Sequence, residues 1–226
     1  MKRPSPTALD QTRHLRAVIR RLSPLTALGD EVNQLMAAMG QGYDEVAGHY
    51  GFSCQGCEES CCFTVFYHHT YAEFLLLDQG LRSLKTSELD EVYGRARKVQ
   101  DHLAKWSLSG AAEPPRAMCP LNRAGRCRLY AFRPMICRLH GIPHRLRRPD
   151  GRAISGPGCH QFEARCGEAA SPYLDRTPFY RRLAQVEQMV RQRVQVPMRL
   201  NMTLAEWLSA LAVLSQTDDS PAASAP

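Results

Sequence analysis

Apolar residues recur at helical spacing along most of the chain and lose that spacing in one long central region. Leu15, Val18, Ile19 and Leu22 share one face of a helix predicted within 7–22. Pro24 ends that pattern. From 28 to 50, Val32, Leu35, Met36, Met39, Tyr43 and Val46 mark a second helix, weakened by Gly40, Gly42 and Gly48. Thr70 is placed to cap a helix through 74–77, and Ser87 precedes another with Leu89, Val92, Ala96, Val99 and Leu103 in phase. The stretch 107–115 reads as a Gly/Ala/Pro loop. A further helix is predicted over 175–194. Thr203-Leu-Ala-Glu206 is a capping-box pattern opening a last helix through Leu214.

Between 119 and 166 the chain is rich in Gly, Pro and Arg and has no helical period. Residues 142–147 and 152–155, joined by Arg148-Pro149-Asp150-Gly151, predict a short hairpin. So little apolar material needs cross-links of another kind, and bound metal is one. The predicted fold is therefore mostly α, with helices around an irregular, metal-stapled, cysteine-rich core and one short β-hairpin. Three parts are expected: a basic N-terminal arm at 1–24, a single cysteine-cluster metal-binding domain at 25–214 (cysteine core 52–166), and a disordered tail at 215–226.

Composition narrows the class. A chain of 226 residues, 44% hydrophobic, suits one domain with a true core. No apolar run approaches the roughly 18 residues that span a bilayer. The N-terminus carries Lys2, Arg3, Arg13, Arg16, Arg20 and Arg21 without an apolar h-region, so a cytoplasmic location is expected. Nine cysteines is a high count, and in a reducing compartment they point to metal rather than disulfides. The number is also odd, which leaves one thiol over from any closed set of pairs.

The spacing carries the chemistry. Cys54-Gln-Gly-Cys57 lets two thiolates from one turn reach a single metal at roughly 2.3 Å. The same spacing serves iron–sulfur clusters. Cys61 follows one helical turn later, and Cys62 is its neighbour. Adjacent side chains diverge, so one of Cys61 and Cys62 joins Cys54 and Cys57 while the other faces a second site or the core. Downstream come Cys119, Cys127, Cys137, Cys159 and Cys166, with Pro120 and Pro134 stiffening the backbone. A second site would draw on these five, leaving a ninth, spare thiol. His140 and His160 are read as surface or supporting histidines rather than ligands. His68 and His69 are read as exposed or cap-related, and Tyr130 as packing. Arg133 and Arg138 flank Cys137 and either neutralise thiolate charge or make structural contacts.

Cys54/Cys57, the vicinal Cys61-Cys62, Cys119-Pro120-Leu121, Gly125-Arg126-Cys127-Arg128-Leu129-Tyr130 and Arg133-Pro134-Met135-Ile136-Cys137-Arg138 together resemble the zinc/iron-chelating, or CxxCxxCC, cysteine-cluster family (the YkgJ type). The resemblance covers about half of the chain, 52–166. It departs from the family pattern in placing three residues between Cys57 and Cys61, which leaves open which of Cys61 and Cys62 is a ligand. It implies binding of zinc or an iron–sulfur cluster and assigns no reaction. The cysteine region is also similar, more weakly, to that of flagellin lysine N-methylases, which implies an iron–sulfur cluster used with S-adenosylmethionine. Neither a glycine-rich strand–loop–helix nor a Cx3Cx2C spacing accompanies it.

Two alternatives stand beside a metal-binding protein of unassigned reaction or protein partner. One is an Fe–S-dependent redox or methyl-transfer enzyme. The other is a zinc-containing nucleic-acid-binding module, suggested by nine arginines against one aspartate in 123–152. The net charge of +7 falls by four if eight thiolates hold two dications, so charge balance around metal is the favoured reading of those arginines. Finger-like Cys-Cys-His-His order and interleaved aromatics are both missing.

Overall fold

Amphipathic helices of the expected phase form the frame. The computed structural model describes Val18, Arg21 and residues 26–54, 61–113, 115–167, 171–196 and 200–218, with the backbone alone at 26, 27 and 213–218. Helix α1 (Thr26–His49) buries Val32, Leu35, Met36, Met39 and Val46, the positions picked out by periodicity. Helix α2 (Tyr71–Leu81) begins at Thr70, whose hydroxyl accepts the Glu73 N–H at 3.3 Å. Helix α3 (Thr86–Ser109) starts ahead of Ser87 and continues through 107–109, which the sequence pattern gives to a loop; Gly110, at φ +70°, ends it. The short α4 (Met135–Arg138) and α5 (His160–Cys166) follow, then α6 (Thr177–Val194) and α7 (Leu204–Asp218).

The predicted capping box forms. Thr203 N–H donates to Glu206 Oε2 at 2.7 Å, and Glu206 N–H donates to Thr203 Oγ1 at 3.2 Å. Because α7 runs to Asp218, residues 215–218 are helical rather than part of a disordered tail. The rest of the tail lies outside the described residues, as does the N-terminal arm apart from two positions. Val18 is buried, and the Arg21 guanidinium donates to Val194 O at 3.0 Å.

α3 lies along α7, while α1 packs against α2 and α6, and α2 against α6. Trp207 sits at the centre, with ring centroids 5.2 Å from Phe74 and 5.3 Å from His68. Strand β1 (Tyr67–His68) pairs antiparallel with β7 (Met202–Thr203), His68 opposite Met202. Strand alternation turns Tyr67 outward and His68 inward. His68 is therefore only 2% exposed, which corrects its reading as an exposed or cap residue. Burial, then the neighbouring His69, lowers its pKa to about 4, so it sits neutral against Trp207.

The remaining strands are short. β2 (Asn122–Arg123) and β3 (Arg126–Cys127) form a tight hairpin. β4 (His144–Arg147) and β5 (Ala153–Gly156) form the hairpin predicted around Arg148-Pro149-Asp150-Gly151. β6 (Leu174–Asp175) adds to β4 in parallel, a pairing of two residues that no local pattern signals. Among the described residues no helix is long and apolar enough to cross a membrane.

Candidate metal centre

Four chain segments carry thiols that influence one another electrostatically. Cys62 lies in the 3-10 turn Cys61–Phe63, and its carbonyl accepts the Cys119 N–H at 2.8 Å. Cys119 precedes the β2–β3 hairpin, whose turn uses Ala124 at φ +50° and Gly125 at φ +80°. Arg95 of α3 pins this hairpin by donating to the Asn122 carbonyl and, at 3.3 Å, to the Cys119 carbonyl. Cys127 is in β3, cross-strand from Asn122. Cys137 is carried by α4, which Pro134 opens and which Glu73 anchors: Met135 N–H donates to Glu73 Oε1 at 2.8 Å.

The charges of these thiols act on one another. Burial raises the Cys119 pKa to about 12, with further increments from Cys127 and Cys62. Burial likewise raises Cys127 to about 11, with Cys62 adding to it and Arg133 opposing it. Cys137 is pushed up by burial, then by Cys119, Cys127, Cys62 and Glu73. Two sulfurs receive backbone donors: the Leu121 N–H points at Cys119 and the Leu129 N–H at Cys127, both favouring the thiolate. Such N–H···S bonds are the kind that tune thiolate ligands.

Cys61 does not diverge from its neighbour as expected. Its thiol shares a hydrogen bond with Cys62, the largest of the effects that raise its pKa, followed by burial and the charges of Cys62, Cys54 and Cys137. It also lines a cleft of about 390 Å³ with Thr64, Arg116, His140, Cys159 and His160. Beside this cleft the Tyr43 hydroxyl is raised above its ordinary pKa by burial, then by Cys54. Gly141, at φ +110°, lets the backbone approach: a Cβ there would lie 3.4 Å from Tyr43 Oη and 3.8 Å from Cys159 Sγ. Cys166 instead donates to the Tyr50 carbonyl at 3.7 Å. Cys57 lies outside the described residues. None of the eight described cysteines forms a disulfide. Among the described residues, no three His, Cys, Asp or Glu side chains are disposed as they stand to hold a metal ion.

The flanking arginines make the structural contacts expected of them. Arg133 stacks 3.5 Å over the Tyr130 ring and donates to the Tyr130 carbonyl, while its charge eases ionisation of Cys127. Arg138 is half-buried and donates to the Ala131 and Arg133 carbonyls; burial, then the charge of Arg133, lowers its pKa, against the smaller opposing effects of Tyr130, Asp44 and Cys137. Tyr130 serves as the packing surface expected of it.

A second, larger cleft is not foreshadowed by any motif. Met135 and Ile136 line a space of about 1310 Å³ together with Tyr67, His69, Glu187 and Arg191. Glu187 Oε2 accepts the Ala72 N–H at 3.1 Å. Its pKa is raised to about 7 by burial, against the backbone donors of Ala72 and Tyr71 and the charge of Arg191. A signal for Glu187 is present in the sequence: it falls four residues after Leu183 and three before Val190, on the apolar stripe of α6.

No family model matches the chain, and neither a curated protein nor a solved structure does.

Proposed function

We propose that this chain is a metalloprotein that holds zinc or an iron–sulfur cluster on clustered cysteine thiolates, with Cys62, Cys119, Cys127 and Cys137 as the principal ligands. The reading is supported by the charge effects that these four thiols, carried on separate segments, exert among themselves, and by the backbone N–H donors that two of them receive. Burial and neighbouring cysteines push Cys119, Cys127 and Cys137 above the ordinary thiol range, so they stay protonated unless a cation joins them. Soft thiolate donors suit zinc or iron–sulfur iron rather than hard cations. Binding would draw the sulfurs to roughly 2.3 Å from a zinc ion, closer than their resting positions. Cys54, Cys61 and Cys159 are candidate donors for a second site, with Cys57 completing the first motif in sequence.

The test is substitution with metal analysis. Cys119→Ser and Cys137→Ser should each lower metal content by about one site and lower the melting temperature. Cys166→Ser should retain the metal. Unchanged metal content and melting in both Cys119→Ser and Cys137→Ser would sink the assignment.

A second reading rests on α4. Met135 and Ile136, the two residues before Cys137, line the large cleft, so a ligand there would contact the helix that carries this thiol. An iron–sulfur redox or methyl-transfer enzyme has that need: a substrate pocket beside the cluster. Iron with sulfide, and retention of S-adenosylmethionine by equilibrium dialysis, would favour it. Zinc alone would favour the first reading.

A further inference from the structure

The nine arginines of 123–152 divide into two groups in the fold. Arg128 is inside, its side chain 6% exposed, paired with Glu88 at 3.5 Å and with Glu91. Arg123 reaches the same Glu88. Arg126 and Arg133 flank the Tyr130 ring, and Arg138 is spent on backbone carbonyls. The other four, Arg145, Arg147, Arg148 and Arg152, all fall on the β4–β5 ribbon and its turn, where every one is exposed.

The register presents them. Arg145 lies opposite Ser155 and Arg147 opposite Ala153, so on that face the two guanidinium groups stand beside small partners. Arg145 is held 3.8 Å over the Tyr173 ring, which fixes its plane. Arg148 and Arg152 rise from the turn and share one acid, Asp150, at 3.9 and 2.6 Å. Asp175, in register with Arg145 on β6, is itself flanked by Arg147 and Arg181. The opposite face carries Leu146 and Ile154, with Ile154 43% exposed. β6 pairs only with His144 and Arg145, so beyond Arg145 the ribbon and its turn extend past the third strand.

We propose that the β4–β5 ribbon is a binding surface for duplex DNA, with Arg145, Arg147, Arg148 and Arg152 contacting backbone phosphates. A two-stranded ribbon is an element that the major groove of B-DNA, about 12 Å wide, admits. Side chains two apart on a strand are spaced by roughly 7 Å, and a DNA strand places about two phosphates along that length. Guanidinium binds phosphate through two parallel hydrogen bonds. The deep, narrow major groove of A-form RNA does not accept such an element. The surface is separate from the thiols, and the inference stands or falls independently of what they hold.

The test uses the full chain and a fluorescently labelled duplex of about 20 base pairs, with anisotropy read between roughly 50 and 200 mM KCl, where counterion release dominates. The unmodified chain should bind with a steep salt dependence. Arg145→Gln/Arg147→Gln should lower the slope of log K against log salt by about two, one for each phosphate left without its guanidinium. Arg148→Gln/Arg152→Gln, in the exposed turn, should do the same and covers the case in which the first pair perturbs the strand. Arg97→Gln/Lys98→Gln on α3 removes equal charge and should leave the slope unchanged. Absence of binding near 50 mM salt, an unchanged slope in both ribbon variants, or an equal drop in slope in the α3 variant would overturn the proposal. So would tighter binding to single-stranded RNA or to phosphatidylserine vesicles than to the duplex.

Discussion

Glu187→Gln offers a sharp test of the packing between α2 and α6. In the folded chain the Glu187 carboxyl titrates near 7, against an ordinary value of 4.5, because burial disfavours its charge more than Arg191 and two backbone donors favour it. Between pH 4.5 and 7 the folded protein holds a proton that the unfolded chain has lost, so stability falls as pH rises through that window and levels off above it. The loss reaches about 3 kcal/mol at pH 8 and is about 1 kcal/mol at pH 5, at 1.36 kcal/mol per pH unit. Glutamine keeps an oxygen to accept the Ala72 N–H and carries no charge. The variant should therefore be more stable than wild type, by an amount that grows by about 2 kcal/mol from pH 5 to pH 8. Urea unfolding of both chains at the two pH values measures it, and His68, which loses stability on acidification in both, cancels in the difference. A gap independent of pH, or a variant less stable than wild type at pH 8, would refute the burial argument.

Other substitutions probe the frame around the thiols. A Cβ on Gly80 would lie 2.7 Å from Phe132 Cγ, so Gly80→Ala should cost about 1–3 kcal/mol in urea unfolding. It should also speed modification of Cys127 and Cys137 by a thiol reagent, because Phe132 lies in the segment between them. Gly94→Ala in α3 meets open space and should stabilise by up to about 1 kcal/mol. Thr203→Ala removes the Oγ1 acceptor of Glu206 N–H and should cost about 1 kcal/mol. Glu73→Ala strips the Met135 N–H of its buried acceptor and should cost about 1–3 kcal/mol, while Glu73→Gln, which keeps an oxygen there, should cost less.

The long helices were legible because their information is local. Val32 to Val46 repeats with the period of a helix, and Thr203 and Glu206 carry both halves of a cap within four residues. The Arg148–Gly151 turn likewise announced its hairpin. What stayed hidden depends on distant partners. α5 is seven residues long, and Phe162, lodged 5.1 Å from the Tyr50 and Phe52 rings, belongs to a core assembled from elsewhere in the chain. His68 is buried by a two-residue pairing with Met202. The cysteine spacing named the candidate donors, but only the fold pairs the Cys119 N–H with the Cys62 carbonyl and brings Cys61 to the cleft with Cys159.

The most direct measurement is metal and acid-labile sulfide per chain, with an absorption spectrum, on protein purified without oxygen. The account predicts stoichiometric metal: either iron with sulfide and a broad band near roughly 400 nm, or zinc with no visible band. A folded chain holding neither would contradict it.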